Sequence, residues 1–259
     1  MVSIIGQNTL PRVVTIISNY NYGEYVETAI NSALDQKYQN HQVICIDDGS
    51  TDNSWDYIKG FGATSSCIKF VNKKPLEVFY SGSLSYARIE NSGASVARNT
   101  AIALAKHADA IMILDSDDIM RHDKVSKMVD KLFEWDEIGV VYGDYYIFRP
   151  DYDKIEYKQP YSSSALRSNC IVHSGSLIKK KYLDEVSKDG LYYNPDLHGP
   201  ASKGFVGCTE DYQLWLRLSK VCMMVHIAEP LTLVREHGKN QSMKMTPEIF
   251  EQNLRKFNV

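Results

Sequence analysis

Residues 115–118 read Asp115-Ser116-Asp117-Asp118 and follow directly on an apolar run, 110–114 (AIMIL). Carboxylates crowded this closely repel one another, so a strand end that gathers them ordinarily holds a cation. Oxygen ligands suit a hard divalent ion, Mg2+ or Mn2+, and such an ion can in turn hold a diphosphate. Without a metal the same turn is a solvated acidic loop that caps the helix after it. A second acidic pair, Asp47-Asp48, closes another apolar run, 42–46 (QVICI). Its carboxylates suit a base N–H or a ribose hydroxyl, and an Asx turn feeding an N-cap is compatible with that role. A third pair, Glu210-Asp211, opens the stretch TEDYQLWLRLSK. Helix chemistry alone reads it as capping, because Thr209 is a good N-cap and acids in a first turn favour the helix dipole.

These turns act together only if a scaffold brings them to one place. The β-branched run 13–18 (VVTIIS) predicts a strand covered on both faces, and 24–36 follows with Val26, Ile30, Ala33 and Leu34 at helical spacing. The run 42–46 and the residues Trp55, Tyr57 and Ile58 repeat that strand-helix unit. A short strand over 68–72, a helix over 92–107, a strand over 110–114 and an amphipathic helix over 122–135 continue the alternation. Such alternation predicts an α/β fold with a mostly parallel Rossmann-like sheet, helices on both faces, and ligands at the carboxyl ends of the strands. The stretch 73–90 interrupts the rhythm, and its Gly, Ser, Tyr and Lys content predicts an exposed, mobile loop. Beyond Gly139 the pattern becomes α+β and less regular: short strands over 140–142, 145–148 and 171–177, a helix over 209–220 and a strand-like run over 231–236. No linker or repeat divides the chain, which predicts one domain over 1–259 with two functional lobes, 1–120 and 121–259.

With 259 residues, 44% of them hydrophobic, the chain is long enough for a proper core. A net charge of -3 supplies no general basic surface, which argues against a nucleic-acid partner. Five scattered cysteines without a C-x-x-C pair predict reduced, buried thiols and a cytoplasmic chain. The first residues lack a basic lead into an apolar stretch, and no apolar run is long enough to span a bilayer, so neither secretion nor a membrane span is expected. The segment 247–257 sets Ile249, Phe250, Leu254 and Phe257 beside Lys244, Arg255 and Lys256; it suits either packing on the domain or peripheral contact with the inner face of a membrane. Neither a Walker A loop nor a GxGxxG fingerprint occurs.

Five motifs in order carry a resemblance: Ile17-Ser18-Asn19-Tyr20-Asn21; Ile46-Asp47-Asp48-Gly49-Ser50-Thr51-Asp52; Asn91-Ser92-Gly93 with Ala97-Arg98-Asn99; Leu114-Asp115-Ser116-Asp117-Asp118; and Glu210-Asp211. Together they resemble the motifs of family 2 glycosyltransferases, densely over about the first 120 residues and again over 209–242. Ser18-Asn19 departs from that pattern, which often has Thr or Pro there. The resemblance implies the GT-A fold and inverting transfer of a sugar from a nucleotide-diphosphate sugar, a UDP-sugar foremost, to an acceptor hydroxyl of a glycan or lipid-linked chain in bacterial-type surface polysaccharide assembly. It implies a D-x-D motif at Asp115 to Asp117, with Asp117 as leading ligand of Mn2+ or Mg2+, Asp115 and Asp118 in support, and His237 joining the metal or diphosphate. Ser18, Asn19, Tyr20, Asp48 and Ser116 fall in the donor site and Arg98 on its nucleotide side, although an Arg on a helix surface is usually just solvated. Glu210-Asp211 matches the acidic pair that supplies the base, Asp211 first and Glu210 second. The tyrosines between Tyr142 and Tyr193 suit sugar rings or the core equally. Competing readings are a nucleotidyltransferase, a glycoside hydrolase and a non-catalytic nucleotide-sugar or carbohydrate-binding module.

Overall fold

The computed structural model describes residues 9–149, 152–198, 209–238, 240, 246 and 248. Its centre is four parallel strands. β1 (Val13–Asn19) lies between β2 (His41–Asp47) and β6 (Ala110–Asp115), and β5 (Leu84–Arg88) pairs with the far side of β2. An antiparallel hairpin of β3 (Ser65–Val71) and β4 (Lys74–Ser81) extends the sheet past β5. On the other side β10 (Leu177–Lys179) joins β6 to β8 (Ile138–Arg149), running antiparallel to both. Beyond it lie β11 (Met223–Arg235), parallel to β8, the two-residue β7 (Ile119–Met120) against β11, and β9 (Tyr152–Glu156) against β8. One sheet therefore runs through both halves of the sequence.

Along the central strands the side chains fall alternately on one of two cores, as the period of a β-strand requires. Val14 and Ile16 of β1 join Ile44, Ile111 and Ile113 under α3 (Ala94–Leu104) and α7 (Glu210–Leu218). Val13 and Ile17 join Val43, Cys45 and Met112 under α1 (Gly23–Leu34), α2 (Ser54–Lys59) and α4 (Lys124–Leu132). The short helices α5 (Ser163–Ser168) and α6 (Lys180–Glu185) add Leu166 and Leu183 to the first core. Leu214, Trp215 and Leu218 of α7 are wholly buried, and at about 1.5–3 kcal/mol for each large apolar side chain this anchoring fixes the helix whose first turn carries Glu210 and Asp211. Trp215 is thus part of the core.

Three expectations fail. The stretch 73–90 is no loop: Val78, Leu84, Tyr86 and Ala87 are buried and two strands run through it, with the turn at Gly82. Residues 171–177 form no strand; Ile171 and Val172 are buried, but only from Leu177 does the backbone join a ladder. The runs 140–142 and 145–148 are one continuous strand, β8. Among the described cysteines Cys45, Cys67, Cys170 and Cys222 are free, as expected of reduced thiols, but only Cys45 is fully buried. Among the described residues no helix is long and apolar enough to cross a membrane. The segment 247–257 lies outside them apart from Glu248.

Candidate active site

The register sets Asn19 beside Asp47 and Ser18 beside Asp115, so the turns leaving β1, β2 and β6 emerge together at the carboxyl edge of the sheet. They border a cavity of about 370 Å³ lined by Ser18, Asn19, Tyr20, Asp48, Arg98, Asp115, Ser116, Asp117, Asp118, Glu210 and Asp211, every candidate from the sequence except His237. His237 still reaches the site, with Nε2 3.1 Å from Asp117 Oδ2.

The turns that leave β1 and β2 are locked to one another. Asn19 Nδ2 donates to Asp47 Oδ1 at 3.0 Å and to Ser50 Oγ at 3.2 Å, which leaves only its buried Oδ1 without a partner. Asn21 Oδ1 accepts from the Thr51 N–H at 2.7 Å. Asp48 accepts from the N–H groups of Ser92 and Gly93, both at 2.8 Å, and burial pushes its carboxyl up to about 6 against the pull of those donors. Asp48 therefore holds the 91–93 turn while facing the cavity. Gly49 makes this approach possible: its φ is +69°, and a Cβ would stand 2.7 Å from the Asn91 nitrogen. Gly49→Ala is expected to lower stability by about 1–3 kcal/mol and to weaken nucleotide binding through Asp48. Urea unfolding and a nucleotide titration check this; an unchanged midpoint together with unchanged affinity would refute it.

In the acidic turn each carboxylate oxygen of Asp115 already accepts one hydrogen bond, Oδ1 from Arg98 Nη2 at 2.9 Å and Oδ2 from Ser174 Oγ at 2.6 Å. Asp118 Oδ1 accepts from the Arg235 N–H at 3.0 Å, and Asp117 Oδ2 accepts from Asn240 Nδ2 at 3.1 Å. Burial and neighbouring carboxylates raise the pKa of both Asp117 and Asp118. His237 is stacked on Tyr25, ring centroids 4.7 Å apart, with the edge of Tyr22 at 5.4 Å.

Among the described residues no group of three or more His, Cys, Asp or Glu side chains is arranged to hold a metal ion unaided. The chemistry of the site nevertheless fits one. A carboxylate oxygen of Asp117 and the His237 imidazole suit Mn2+ or Mg2+ with diphosphate oxygens completing the set, and a cation would relieve the repulsion that raises Asp117 and Asp118. Asp115, committed to Arg98 and Ser174, fits a supporting place better than a ligand's.

Arg98 is not on a solvated helix face. It is 5% exposed, and its Nη1 donates to Glu210 Oε1 at 2.5 Å and lies 3.5 Å from Asp211 Oδ1. The ring of Tyr193 lies 5.3 Å from the guanidinium. Asn99, next along α3, fixes that tyrosine by accepting from its N–H at 2.9 Å and donating to its carbonyl at 2.7 Å. Arg98 thus ties the Glu210-Asp211 pair to Asp115.

The two acids of α7 are set apart by their surroundings. Burial by itself would raise Glu210, but the charge and hydrogen bond of His198, with Nδ1 2.9 Å away, and the charge of Arg98 hold it well below the usual carboxylate range. Burial pushes Asp211 up to about 7; Arg98 opposes the shift and Glu210 adds to it. Asp211 is therefore the better proton acceptor near neutrality, and Glu210 is engaged as an anchor.

Tyr22, Cys170, His173, Ser174, His198 and Asn240 also line the cavity and escaped the sequence reading, and Asn91, part of a motif quoted there, lines it as well; of the tyrosines weighed there only Tyr145 lines it. His198 and Ser174 come from irregular segments with no periodicity to mark them. Tyr22 sits three residues before Tyr25 in a chain turn where helix spacing already points to a shared face.

Residues 14–187 match the model of the family described as Glycosyl transferase family 2. Glycosyltransferase GlyG of Streptococcus pneumoniae is 30% identical over 131 residues, 51% of this chain and 38% of GlyG. The putative teichuronic acid biosynthesis glycosyltransferase TuaG of Bacillus subtilis is 32% identical over 127 residues, 49% of this chain and 44% of TuaG. The aligned regions span less than half the length of these relatives. Among solved structures, S. aureus TarS 1-349 in complex with UDP-GlcNAc matches with a TM-score of 0.66 at 17% identity, covering 95% of this chain and 65% of that one. The mannosyltransferase PcManGT from Pyrobaculum calidifontis, in complex with GDP-Man and Mn2+, matches with a TM-score of 0.65 at 16% identity, covering 96% and 65%.

Proposed function

Because the chain belongs to glycosyl transferase family 2 and is a glycosyltransferase of GT-A fold, we propose that it transfers a sugar, with inversion, from a UDP-sugar to an acceptor hydroxyl in the assembly of a surface polysaccharide or related glycan. The observation that carries this reading is the division between the two buried acids: Glu210 held ionised by Arg98 and His198, and Asp211 beside it with its carboxyl raised to about 7. A base poised near neutrality serves proton abstraction, and a binding module has no use for one.

Asp211 accepts the acceptor hydroxyl's proton as that oxygen attacks the anomeric carbon from the face opposite the diphosphate. The new glycosidic C–O bond forms, and the bond to the phosphate oxygen breaks with its electron pair leaving on the diphosphate. A divalent ion, when bound, neutralises the charge that collects there. Asp117 and His237 would hold it; Asp115 would orient Arg98, and Asp118 would brace the turn through the Arg235 N–H. Ser18, Asn19, Tyr20, Asp48 and Ser116 border the donor side of the cavity, and Tyr145, Cys170 and Val172 are further lining groups, which we assign to the acceptor side. We assign 1–120 to donor binding and 121–259 to acceptor binding within one catalytic domain, and we take the acceptor to be a glycan or lipid-linked chain met at the cytoplasmic face of a membrane. UDP-GlcNAc in the TarS structure, Mn2+ in the PcManGT structure and the teichuronic acid role named for TuaG support the choice of donor, ion and product class.

The test is a screen of nucleotide sugars for hydrolysis and transfer with and without Mn2+, with the product anomer read by NMR. One UDP-sugar is expected to turn over only with the ion, to give the inverted anomer, and to react faster as pH rises through about 7, because Asp211 must be ionised to take the proton. A retained configuration or a rate flat between pH 5.5 and 8.5 (about 1.5 units either side of that pKa) would refute the assignment.

A further inference from the structure

The hairpin of β3 and β4 ends the sheet, and the outer side of β3 pairs with no other strand among the described residues. β3 runs antiparallel to β4, β4 antiparallel to β5, and β5 parallel to β2, so β3 points the same way as the central strands. Its closing turn, Asn72-Lys73, with φ of +48° and +65°, therefore lies at the carboxyl edge of the sheet, the edge that carries the cavity. β4 pairs with β5 only through Phe79, Tyr80 and Ser81; from Lys74 to Val78 its strand partner is β3 alone. The tip so formed is apolar and basic together. Ile68 and Phe70 share one face, opposite Glu77 and Pro75, and are 56% and 69% exposed. Lys69, Lys73 and Lys74 are exposed around them, and among the described residues none of the three forms an ion pair. Over 65–81 these three lysines stand against one acid, Glu77, in a chain of 32 acids to 29 Lys and Arg. Charge on an edge strand commonly guards it against pairing with another chain, and Lys69 alone would do that. Guarding gives no reason for Phe70 and Ile68 to stand in water beside it.

We propose that this hairpin tip docks the protein on an anionic lipid surface, with Phe70 and Ile68 entering the headgroup layer and Lys69, Lys73 and Lys74 meeting the lipid phosphates. An anionic bilayer satisfies both halves of the patch: its acyl boundary takes the apolar side chains, and its negative surface takes the ammonium groups. A second copy of the chain would bring the same excess of lysine and no complement to it. Because the tip and the cavity share one edge of the sheet, docking brings the cavity toward the surface from which a lipid-linked acceptor is drawn. That purpose rests on the acceptor reading above; the docking itself does not.

The experiment sediments the whole chain with vesicles of phosphatidylcholine alone and of phosphatidylcholine mixed with phosphatidylglycerol. Wild type is expected to bind only the mixed vesicles and to be released by high salt. Lys69→Gln, Lys73→Gln and Lys74→Gln combined should weaken that binding about a hundredfold, at about fivefold for each lysine. Phe70→Ser should weaken it about tenfold or more. All four side chains are exposed, so both variants should melt with wild type. Slow hydrolysis of the UDP-sugar, which needs no acceptor, should not change either. Should one of them fail to fold, Phe70→Trp reads the contact directly: brominated lipid is expected to quench it beyond the quenching of Trp55, Trp135 and Trp215 in wild type. Three results overturn the inference: wild type that ignores anionic vesicles, either folded variant binding them as wild type does, or no added quenching in Phe70→Trp. A dimer that Phe70→Ser dissolves, without vesicle binding by wild type, overturns it as well and gives the tip to a second copy. Absence of any turnover would instead strike the proposed reaction and leave the vesicle result standing.

Discussion

Asp211→Asn is expected to reduce sugar transfer by roughly 10²- to 10⁴-fold while donor affinity hardly changes. Asn keeps the shape of the side chain but accepts no proton, and the Arg98 clamp on Glu210 and Asp115 stays in place. The variant should also be at least as stable as wild type above neutrality. The Asp211 carboxyl is raised in the folded protein from an ordinary value near 3.8 to about 7, so its favourable contribution is complete at low pH and is lost as pH climbs through about 7. Asn never ionises and avoids that loss. Melting temperatures of the two proteins should therefore converge toward pH 4 and separate in favour of Asn by pH 8. Near-normal turnover under saturating donor and acceptor would move the base elsewhere, and loss of donor binding would assign the acidic pair to the donor site.

Asp117→Ala should abolish transfer and metal-dependent donor binding together. A metal supplies several kcal/mol of charge stabilisation to the leaving diphosphate, so the rate is expected to fall on the order of 10³-fold or more. Asp117 lies in a like-charged turn, and its removal relieves repulsion on Asp118 while withdrawing an acceptor from Asn240 Nδ2 and a partner from His237. These effects oppose one another, and the melting temperature without metal should stay close to wild type. Calorimetric titration of UDP in Mn2+ and in EDTA makes the measurement. Wild type should distinguish the two buffers and Asp117→Ala should not; a variant that still does so retains its metal site and excludes Asp117 as the leading ligand.

The parts of the site legible in the sequence were those written at strand ends. The runs VVTIIS, QVICI and AIMIL announce buried strands, and a parallel sheet must then bring the residues after them to one edge. The burial of Arg98 was harder to read. Its α3 neighbours Ala94, Ala97, Ala101 and Ile102 form a face of mostly small residues that leaves room for a guanidinium, but a long cation on a helix suggests solvent first. The counter-ions of Glu210 depend on contacts over 112 and 12 residues, the second to His198 in an irregular segment, and no local pattern encodes such pairings. For the stretch 73–90 the signal was present and outweighed: Leu76, Val78 and Tyr80, then Leu84 and Tyr86, alternate as strands do, while the Gly, Ser and Lys content pointed to a loop.

β10 pairs with β6 through Leu177, Ile178 and Lys179 on one side and with β8 through Leu177 and Ile178 on the other. A cleft built across such a staple does not open like a jaw, because swinging its halves apart would tear two ladders at once. Any widening of the cavity then falls to the turns that border it. For engineering, the staple is the part to leave alone: any cut through residues 177–179 would divide the sheet between β6 and β8.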